Sequence, residues 1–276
     1  MSSHRLFFPF FYLFISRLKT LPEKVSWLLV NPVPIFITSW LVCKSFSVPL
    51  VACFILGFLA WQSLYEIGYL QNDALTTEKE ACPTLRVSES VREYVRRNFL
   101  AISVFRLTLA AFLVSAIDIV SLNGIAVNLK AFFVVAGIGS ISFLCHNLVR
   151  SRINIITYFS LSATKYLALP LLFYTGERLS ILILVIIMIF PFLRTLEHAR
   201  KRKYRFFFLR SIFKNVDLVR PFYYFLGCLI FWLFFSVDGS LESQVGAALF
   251  TYFFLFRVLA FFYSIFFKRS VPEAYR

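Results

Sequence analysis

Residues 47–73 decide the fold class, because here a long apolar run ends in a cluster of polar side chains: SVPLVACFILGFLAWQSLYEIGYLQND. An apolar run of about 20 residues is long enough to cross the hydrocarbon core of a bilayer as one α-helix. The whole chain is 59% hydrophobic and 16% charged, whereas soluble domains have about 25% charged residues. The sequence therefore predicts an all-α, polytopic membrane helix bundle.

The same pattern recurs and predicts eight spans in a single integral-membrane domain, residues 1–276. The predicted spans are residues 25–43, 47–71, 98–122, 129–149, 153–175, 179–198, 218–236 and 243–267. The Phe-rich segment 6–16 is too short to cross a bilayer. We expect it to lie at the membrane interface as a helix, or to form a half-inserted ninth helix.

Basic residues concentrate in alternate loops, which indicates the orientation of the chain. The region around Arg17, the loops 72–97, 150–152 and 199–217, and the C-terminal tail are basic, and the loops between them hold little basic charge. The positive-inside rule places both termini and these basic loops in the cytoplasm. Basic residues that set the orientation in the membrane and that face anionic lipid thus account for the net charge of +15. We therefore predict no nucleic-acid partner.

Polar residues follow the second span in a pattern that suits a metal. Asn72, Asp73 and Glu80 carry amide and carboxylate oxygens, which Mg²⁺ prefers and usually shares with the phosphates of a substrate. Glu66, Asp73 and Glu80 are seven residues apart and would share one face of a continuing helix. We predict that Asn72, Asp73 and Glu80 bind Mg²⁺ and that Glu66 faces the substrate.

The basic residues beside this motif have two interpretations. In the first, Lys79 and Arg86 contact a phosphorylated substrate. In the second, the acids belong to a solvated helix end and form salt bridges with Lys79, Arg86 and the cluster of Arg92, Arg96 and Arg97.

A second polar group lies at the cytoplasmic end of the sixth span. Arg194 and Glu197 are inside the apolar pattern, three residues apart on one helix face. We predict that Glu197 is a further metal ligand and that Arg194, Lys201 and Arg205 hold a phosphate through charge-assisted hydrogen bonds, with Tyr204 beside them. The basic run that follows the span is also an ordinary topology signal.

A third group comprises His146, Asn147, Arg150 and Lys165. His146 and Arg150 share a helix face, and Lys165 lies about a dozen residues into the fifth span, where an ammonium group is costly without an anion. We predict that His146, Asn147 and Arg150 bind substrate and that Lys165 is catalytic, together with Asp73 and Arg194.

The first motif resembles that of the UbiA superfamily of intramembrane prenyltransferases, which reads N-D-x-x-D-x-x-x-D after the second helix. Asn72, Asp73 and Glu80 match, whereas Thr76 replaces the middle aspartate. The second acidic motif of the family is reduced to Glu197. The resemblance implies a helical bundle with a cytoplasmic active site.

With these departures from the family pattern, the sequence is closer to the branch of the superfamily that resembles decaprenyl-phosphate 5-phosphoribosyltransferases. That resemblance implies Mg²⁺ as cofactor, phosphoribosyl pyrophosphate as donor, polyprenyl phosphate as acceptor, and a location in the bacterial inner membrane. The product would supply pentose to a surface polysaccharide.

Two other functions stay open at this stage. One is a UbiA-type prenyltransferase that uses a prenyl diphosphate donor. The other is a non-enzymatic membrane subunit of polysaccharide export, in which the acids form salt bridges only. The sequence is compatible with a homo-oligomer and does not require one.

Overall fold

The computed structural model describes residues 3–77, 85–149 and 151–266 of the chain. They form helices and connecting loops, with no β-strand in the described part. The chain divides into two compact units, Met1–Thr175 and Gly176–Arg276, and each is described by itself below. The prediction of a single domain therefore stays a prediction.

The described residues of the first unit form seven α-helices, a 3₁₀ turn at Ser3–Phe7 and a π-turn at Asn72–Thr76. The helices are α1 (Phe11–Ser16), α2 (Leu21–Val30), α3 (Pro32–Cys43), α4 (Val48–Gln71), α5 (Glu89–Ser121), α6 (Leu129–Leu148) and α7 (Asn154–Phe173).

The part of the second unit that the structure describes, up to residue 266, forms five α-helices and a 3₁₀ turn at Arg202–Tyr204. The helices are α8 (Leu179–Ile189), α9 (Pro191–Ala199), α10 (Phe207–Ile212), α11 (Val216–Asp238) and α12 (Leu241–Phe266). Helices α11 and α12 pack against each other, and α12 also packs against α8.

Short local signals set the helix boundaries. Helix α2 begins with a capping box, in which Thr20 and Glu23 each accept a hydrogen bond from the backbone N–H of the other, as such boxes do. Helices α3 and α9 both begin with a proline, Pro32 and Pro191. Proline suits the first turn of a helix and ends the helix before it, so these positions break two apolar segments into pairs of helices.

The spans predicted from the sequence coincide with long apolar helices. Within the described residues, seven helical segments are long and apolar enough to cross a membrane, and an eighth results if α8 and α9, bent by 45° at Pro191, cross as one. Large apolar side chains remain exposed on these helices, for example Phe112 and Leu233, as expected of surfaces that face lipid. The chain is a multi-pass helical membrane protein.

Two segments differ from their predicted form. Helix α5 begins at Glu89 rather than 98, because Glu89 and Glu93 pair with arginines three and four residues later and extend the helix. Segment 6–16 is not one interfacial helix. It breaks at Phe10, which has a left-handed backbone (φ 71°), and buries Leu6 and Tyr12 in the core of the first unit.

Helix α4 is the centre of the first unit and packs against α5, α6 and α7. It packs tightly against α6 at Gly68, where an added Cβ atom would overlap the ring of Phe143. At the same level Asn147 of α6 donates hydrogen bonds to the Gly68 carbonyl (3.1 Å) and to Gln71 (3.0 Å). Gly68 therefore fixes the distance between the two helices that carry polar residues.

We expect Gly68→Ala to lower the apparent Tm in detergent by the equivalent of about 1–3 kcal/mol, the usual cost of overpacking. Gly137→Ala is the matched control. Like Gly68, Gly137 lies inside a helix, in this case α6, but it has open space where a Cβ would be added. It should leave the Tm unchanged or raise it slightly. Equal effects of the two substitutions would contradict the close packing of α4 and α6.

Candidate functional site

Asp73 lies at the centre of a buried ion-pair network in the first unit. Its Oδ2 accepts hydrogen bonds from Tyr12 Oη (3.0 Å) and Arg17 Nη1 (2.8 Å), and its Oδ1 accepts from Arg17 Nη2 (3.2 Å) and Asn72 Nδ2 (2.9 Å). Arg86 Nε lies 3.7 Å from Oδ1. The carboxylate is only 2% exposed. Both of its oxygens are thus engaged by side chains of the protein.

A π-turn positions this carboxylate. Helix α4 does not continue as a regular α-helix past Gln71 but widens into the π-turn Asn72–Thr76. Such turns are rare and occur frequently at functional sites. The hydroxyls of Thr76 and Thr77 donate to the carbonyls of Asn72 and Asp73, and these bonds stabilise the end of the helix.

Pairing with Asp73 raises the pKa values of Arg17 and Tyr12. Burial alone would lower the pKa of Arg17, but the attraction of Asp73, Tyr69 and Tyr12 outweighs burial and raises it. Burial and the charge of Asp73 raise the pKa of Tyr12, so its hydroxyl stays protonated and donates. The Arg17 guanidinium also lies over the Tyr69 ring, 3.7 Å from the ring centre, a favourable cation–π arrangement.

A second ion pair lies deeper in the first unit. Glu66 and Arg106 are both fully buried, with Arg106 Nη2 2.9 Å from Glu66 Oε2. Glu66 Oε1 accepts from the Phe10 N–H and from Gln62, while Arg106 donates to the carbonyls of Leu6 and Phe8. This pair fastens the N-terminal segment to α4 and α5. It explains Glu66 structurally, and the predicted role of Glu66 in binding substrate stays a prediction.

The third predicted group lies at the ends of α6 and α7. His146 Nδ1 is 3.0 Å from the Thr157 hydroxyl, and Asn147 is buried against α4. Lys165 Nζ lies 5.8 Å from the ring centre of Tyr65, which in turn packs edge-on against Tyr69 at 5.2 Å. Lys165 and Arg17 therefore lie on two adjacent tyrosines of α4. Arg150 lies outside the described residues.

In the second unit, Glu197 is held between two arginines. Arg220 approaches both carboxylate oxygens, with Nε at 2.6 Å from Oε1 and Nη2 at 2.9 Å from Oε2, and Arg194 Nη1 is 2.7 Å from Oε2. Glu197 and Arg220 are buried. His198 Nε2 lies 2.8 Å from the hydroxyl of Tyr204.

The basic residues beyond Glu197 occupy different environments. Tyr204 is buried, whereas Lys201 and Arg205 are exposed, and Arg205 has a left-handed backbone (φ 60°). Both exposed residues lie in the loop that leads to α10. Their predicted contact with a phosphate stays a prediction.

The structure brings together some predicted site residues and separates others. Asn72, Asp73 and Arg86 meet in one network, and Arg194 meets Glu197. Lys79 and Glu80 lie outside the described residues. The cluster of Arg92, Arg96 and Arg97 pairs with Glu89 and Glu93 within α5.

The sequence analysis missed four residues of these networks: Tyr12, Arg17, Arg106 and Arg220. Arg106 had a usable signal, because a lone arginine inside an apolar run requires a partner. Arg17 and Arg220 lie beside basic loops, where they are indistinguishable from residues that set the topology.

The described carboxylates are a poor fit for Mg²⁺. No group of three or more His, Cys, Asp or Glu side chains that could hold a metal occurs among residues 3–77, 85–149 and 151–266. Asp73 and Glu197 direct their oxygens at arginines, which already supply the positive charge that a metal would bring. The magnesium site stays a prediction that depends on Glu80.

No family model, curated protein or solved structure matches this chain. The resemblance to the UbiA superfamily rests on the motif alone.

We expect Glu66→Gln to destabilise the protein strongly, by about 3–5 kcal/mol, because it leaves the Arg106 charge buried without a counter-ion. Glu66→Leu combined with Arg106→Leu should recover part of the loss, since no charge then stays buried. Apparent Tm in detergent measures both effects, with Glu93→Gln as a control that removes an exposed helical ion pair. A single variant as stable as this control would show that Glu66 and Arg106 do not pair.

Proposed function

We propose that the protein transfers 5-phosphoribose from phosphoribosyl pyrophosphate to polyprenyl phosphate in the membrane. The observation that supports this proposal best is that, among the described residues, two arginines converge on one carboxylate at the polar end of the first unit. Arg17 and Arg86 share the single carboxylate of Asp73, and Lys165 lies on the neighbouring tyrosine wall. Such a surface favours phosphate groups.

The arrangement of the helices supports a lipid substrate. The C-terminal ends of α4 and α6 lie together, because Asn147 binds Gly68 and Gln71, and α4 and α5 pack as neighbours. The polar residues therefore border long apolar helices. A polyprenyl phosphate would place its phosphate among the cations and its chain along the apolar surface, as amphipathic lipids distribute between polar and apolar regions.

The reaction needs no general base and no redox partner. An anionic oxygen of polyprenyl phosphate attacks C1 of the ribose, and the bond from C1 to the pyrophosphate oxygen breaks. Pyrophosphate leaves with that electron pair, and the product is polyprenyl-phosphoryl-5-phosphoribose. Cationic side chains that are already in position would stabilise the charge on the leaving group without reorganisation.

In this proposal each residue has a distinct role. Lys165 and Arg17 hold the acceptor phosphate. Asp73 is a positioning residue, because its carboxylate orients Arg17 and Arg86 rather than facing an open site. We assign no step to Mg²⁺, and the requirement for it is tested below.

The proposal keeps the cellular context that the sequence predicts. The basic loops lie in the cytoplasm of a bacterial cell by the positive-inside rule, so the water-soluble donor would reach the site from that side of the inner membrane. The product would serve a surface polysaccharide.

One observation favours a second candidate, a non-enzymatic subunit. Each of the buried carboxylates Glu66, Asp73 and Glu197 is fully accounted for by ion pairs, as the alternative interpretation of the sequence expects. Such pairs stabilise a conformation without any chemistry.

Pyrophosphate release by the purified protein distinguishes these functions. We expect release that requires both phosphoribosyl pyrophosphate and polyprenyl phosphate. Release from a prenyl diphosphate instead would favour the prenyltransferase, and no release from either donor by folded protein would favour the non-enzymatic subunit. EDTA that stops release would support the predicted magnesium site, whereas unchanged release would assign the charge neutralisation to the arginines.

We expect Lys165→Met to lower kcat/KM for polyprenyl phosphate by about 10–100-fold, the usual effect of removing a charged hydrogen-bond donor. Lys130→Met is the matched control, because Lys130 is exposed at the start of α6, whereas the predicted substrate-binding residues His146 and Asn147 lie at the end of that helix. It should retain wild-type kinetics. If both variants behave alike, Lys165 does not contact the acceptor.

A further inference from the structure

Arg257, in the second half of α12, is a buried arginine without a counter-ion of its own. Arg257 is only 8% exposed and lies inside a segment apolar enough to cross a membrane. Within the described residues it forms no hydrogen bond and no ion pair, and its Nε has no partner. A buried guanidinium is costly unless it is paired, so its presence requires an explanation.

Arg257 lies one turn after Phe253 on α12, and Phe253 stacks at 5.2 Å on Tyr224, which lies one turn after Arg220 on α11. The buried carboxylate beside Arg220 is that of Glu197. However, Glu197 accepts hydrogen bonds from Arg220 on both oxygens and from Arg194 on one. Asp217 neutralises the charge of Arg220 only in part, because its side chain is 40% exposed and its Oδ1 lies 3.9 Å from Arg220 Nη1.

Arg257 therefore lies beside an arginine that already uses the buried carboxylate of Glu197. Two like charges close together in a low-dielectric interior repel each other. In the group of Arg194, Arg220 and Arg257, which we call the arginine cluster, Arg257 has no counter-ion among the described residues, so its positive charge is in excess. A bound anion would remove that excess.

A further donor points to the same ligand. The hydroxyl of Tyr224 is buried and has no hydrogen-bond partner among the described residues, and Tyr224 lies one turn after Arg220 on the same face of α11. Its ring stacks on Phe253 at 5.2 Å. Buried hydroxyls almost always have a partner, so an unpartnered donor beside excess positive charge indicates a missing acceptor.

We propose that the arginine cluster and Tyr224 bind the phosphate group of a ligand. Phosphate has several acceptor oxygens and a charge that matches the excess, and guanidinium groups bind it through paired hydrogen bonds. Arg257 and Tyr224 contribute the donors that lack partners. Arg220 and Arg194 contribute charge while Glu197 fixes their orientation.

This site goes beyond the proposed function and agrees with the contact between Arg194 and a phosphate that the sequence predicts. It is defined by binding rather than by turnover. The phosphate could belong to a lipid or to a water-soluble molecule, because the cluster lies on membrane-length helices that are joined to a basic loop. Binding in the absence of pyrophosphate release would support the site and refute the reaction. The two proposals can therefore fail separately.

The test measures the apparent Tm of the full-length protein, stripped of lipid and held in phosphate-free detergent. The probes are polyprenyl phosphate, polyprenol without phosphate, and inorganic phosphate. A rise with polyprenyl phosphate alone assigns a lipid phosphate, and a rise with inorganic phosphate as well assigns a soluble one. No rise with either phosphate probe would overturn the proposal.

The matched variants are Arg257→Gln and Arg178→Gln, since Arg178 is an exposed arginine at the start of α8. We expect Arg257→Gln to weaken phosphate binding at least about tenfold and to raise the Tm of the ligand-free protein, because an uncompensated buried charge is removed. Arg178→Gln should change neither. A lowered ligand-free Tm together with unchanged phosphate affinity in Arg257→Gln would show a structural role and overturn the proposal.

Should Arg257→Gln not yield folded protein, Tyr224→Phe provides the second test. It removes only the hydroxyl, which has no partner in the protein, and keeps the ring that packs on Phe253. Phosphate affinity should fall while the Tm without ligand is unchanged. An unchanged affinity would exclude Tyr224, and with it this site.

Discussion

The cost of burying charge governs the polar interior of this membrane protein. An unpaired carboxylate or guanidinium in a low-dielectric interior loses several kcal/mol of solvation, and only a close partner restores it. Three carboxylates, Glu66, Asp73 and Glu197, meet this requirement with arginines at hydrogen-bonding distance. The arrangement of the polar residues follows from those contacts.

Two of these pairs join parts of the chain that are distant in sequence. Arg17 binds Asp73, and Arg106 binds both Glu66 and the carbonyls of Leu6 and Phe8. The N-terminal segment is thereby held against α4 and α5, and it closes the polar end of the first unit. The arginines use the carboxylates, and the two phosphate sites that we propose involve other cations, Lys165 in the first unit and, separately, Arg257 in the second.

Much of the fold could be predicted from the sequence, because span length and hydropathy are local properties. The eight predicted spans coincide with the apolar helices, counting the bent pair α8 and α9 as one. The site could be predicted only in part. The motif at Asn72 and Asp73 marks a real polar cluster, but the sequence suggested a continuing helix where the structure has a π-turn. The structure shows arginines bound to Asp73 and Glu197, and the magnesium site that the sequence suggested stays a prediction.

The sequence analysis lacked information on the tertiary contacts between residues that are distant along the chain. The partner of Asp73 lies 56 residues away and the partner of Glu197 lies 23 residues away, and hydropathy does not encode such pairings. Arg106 could have been recognised, since an arginine deep in a span needs a counter-ion. Arg17 could not, because a basic residue before a first span is normal.

The central claim is that arginines neutralise the buried carboxylates and that, as we propose, the polar end of the first unit binds the phosphate of a lipid through Lys165. Native mass spectrometry of the protein extracted from its own membrane tests this claim most directly. The account predicts a bound lipid that releases a phosphate fragment on dissociation. A chain that carries only detergent or phosphate-free lipid would contradict it.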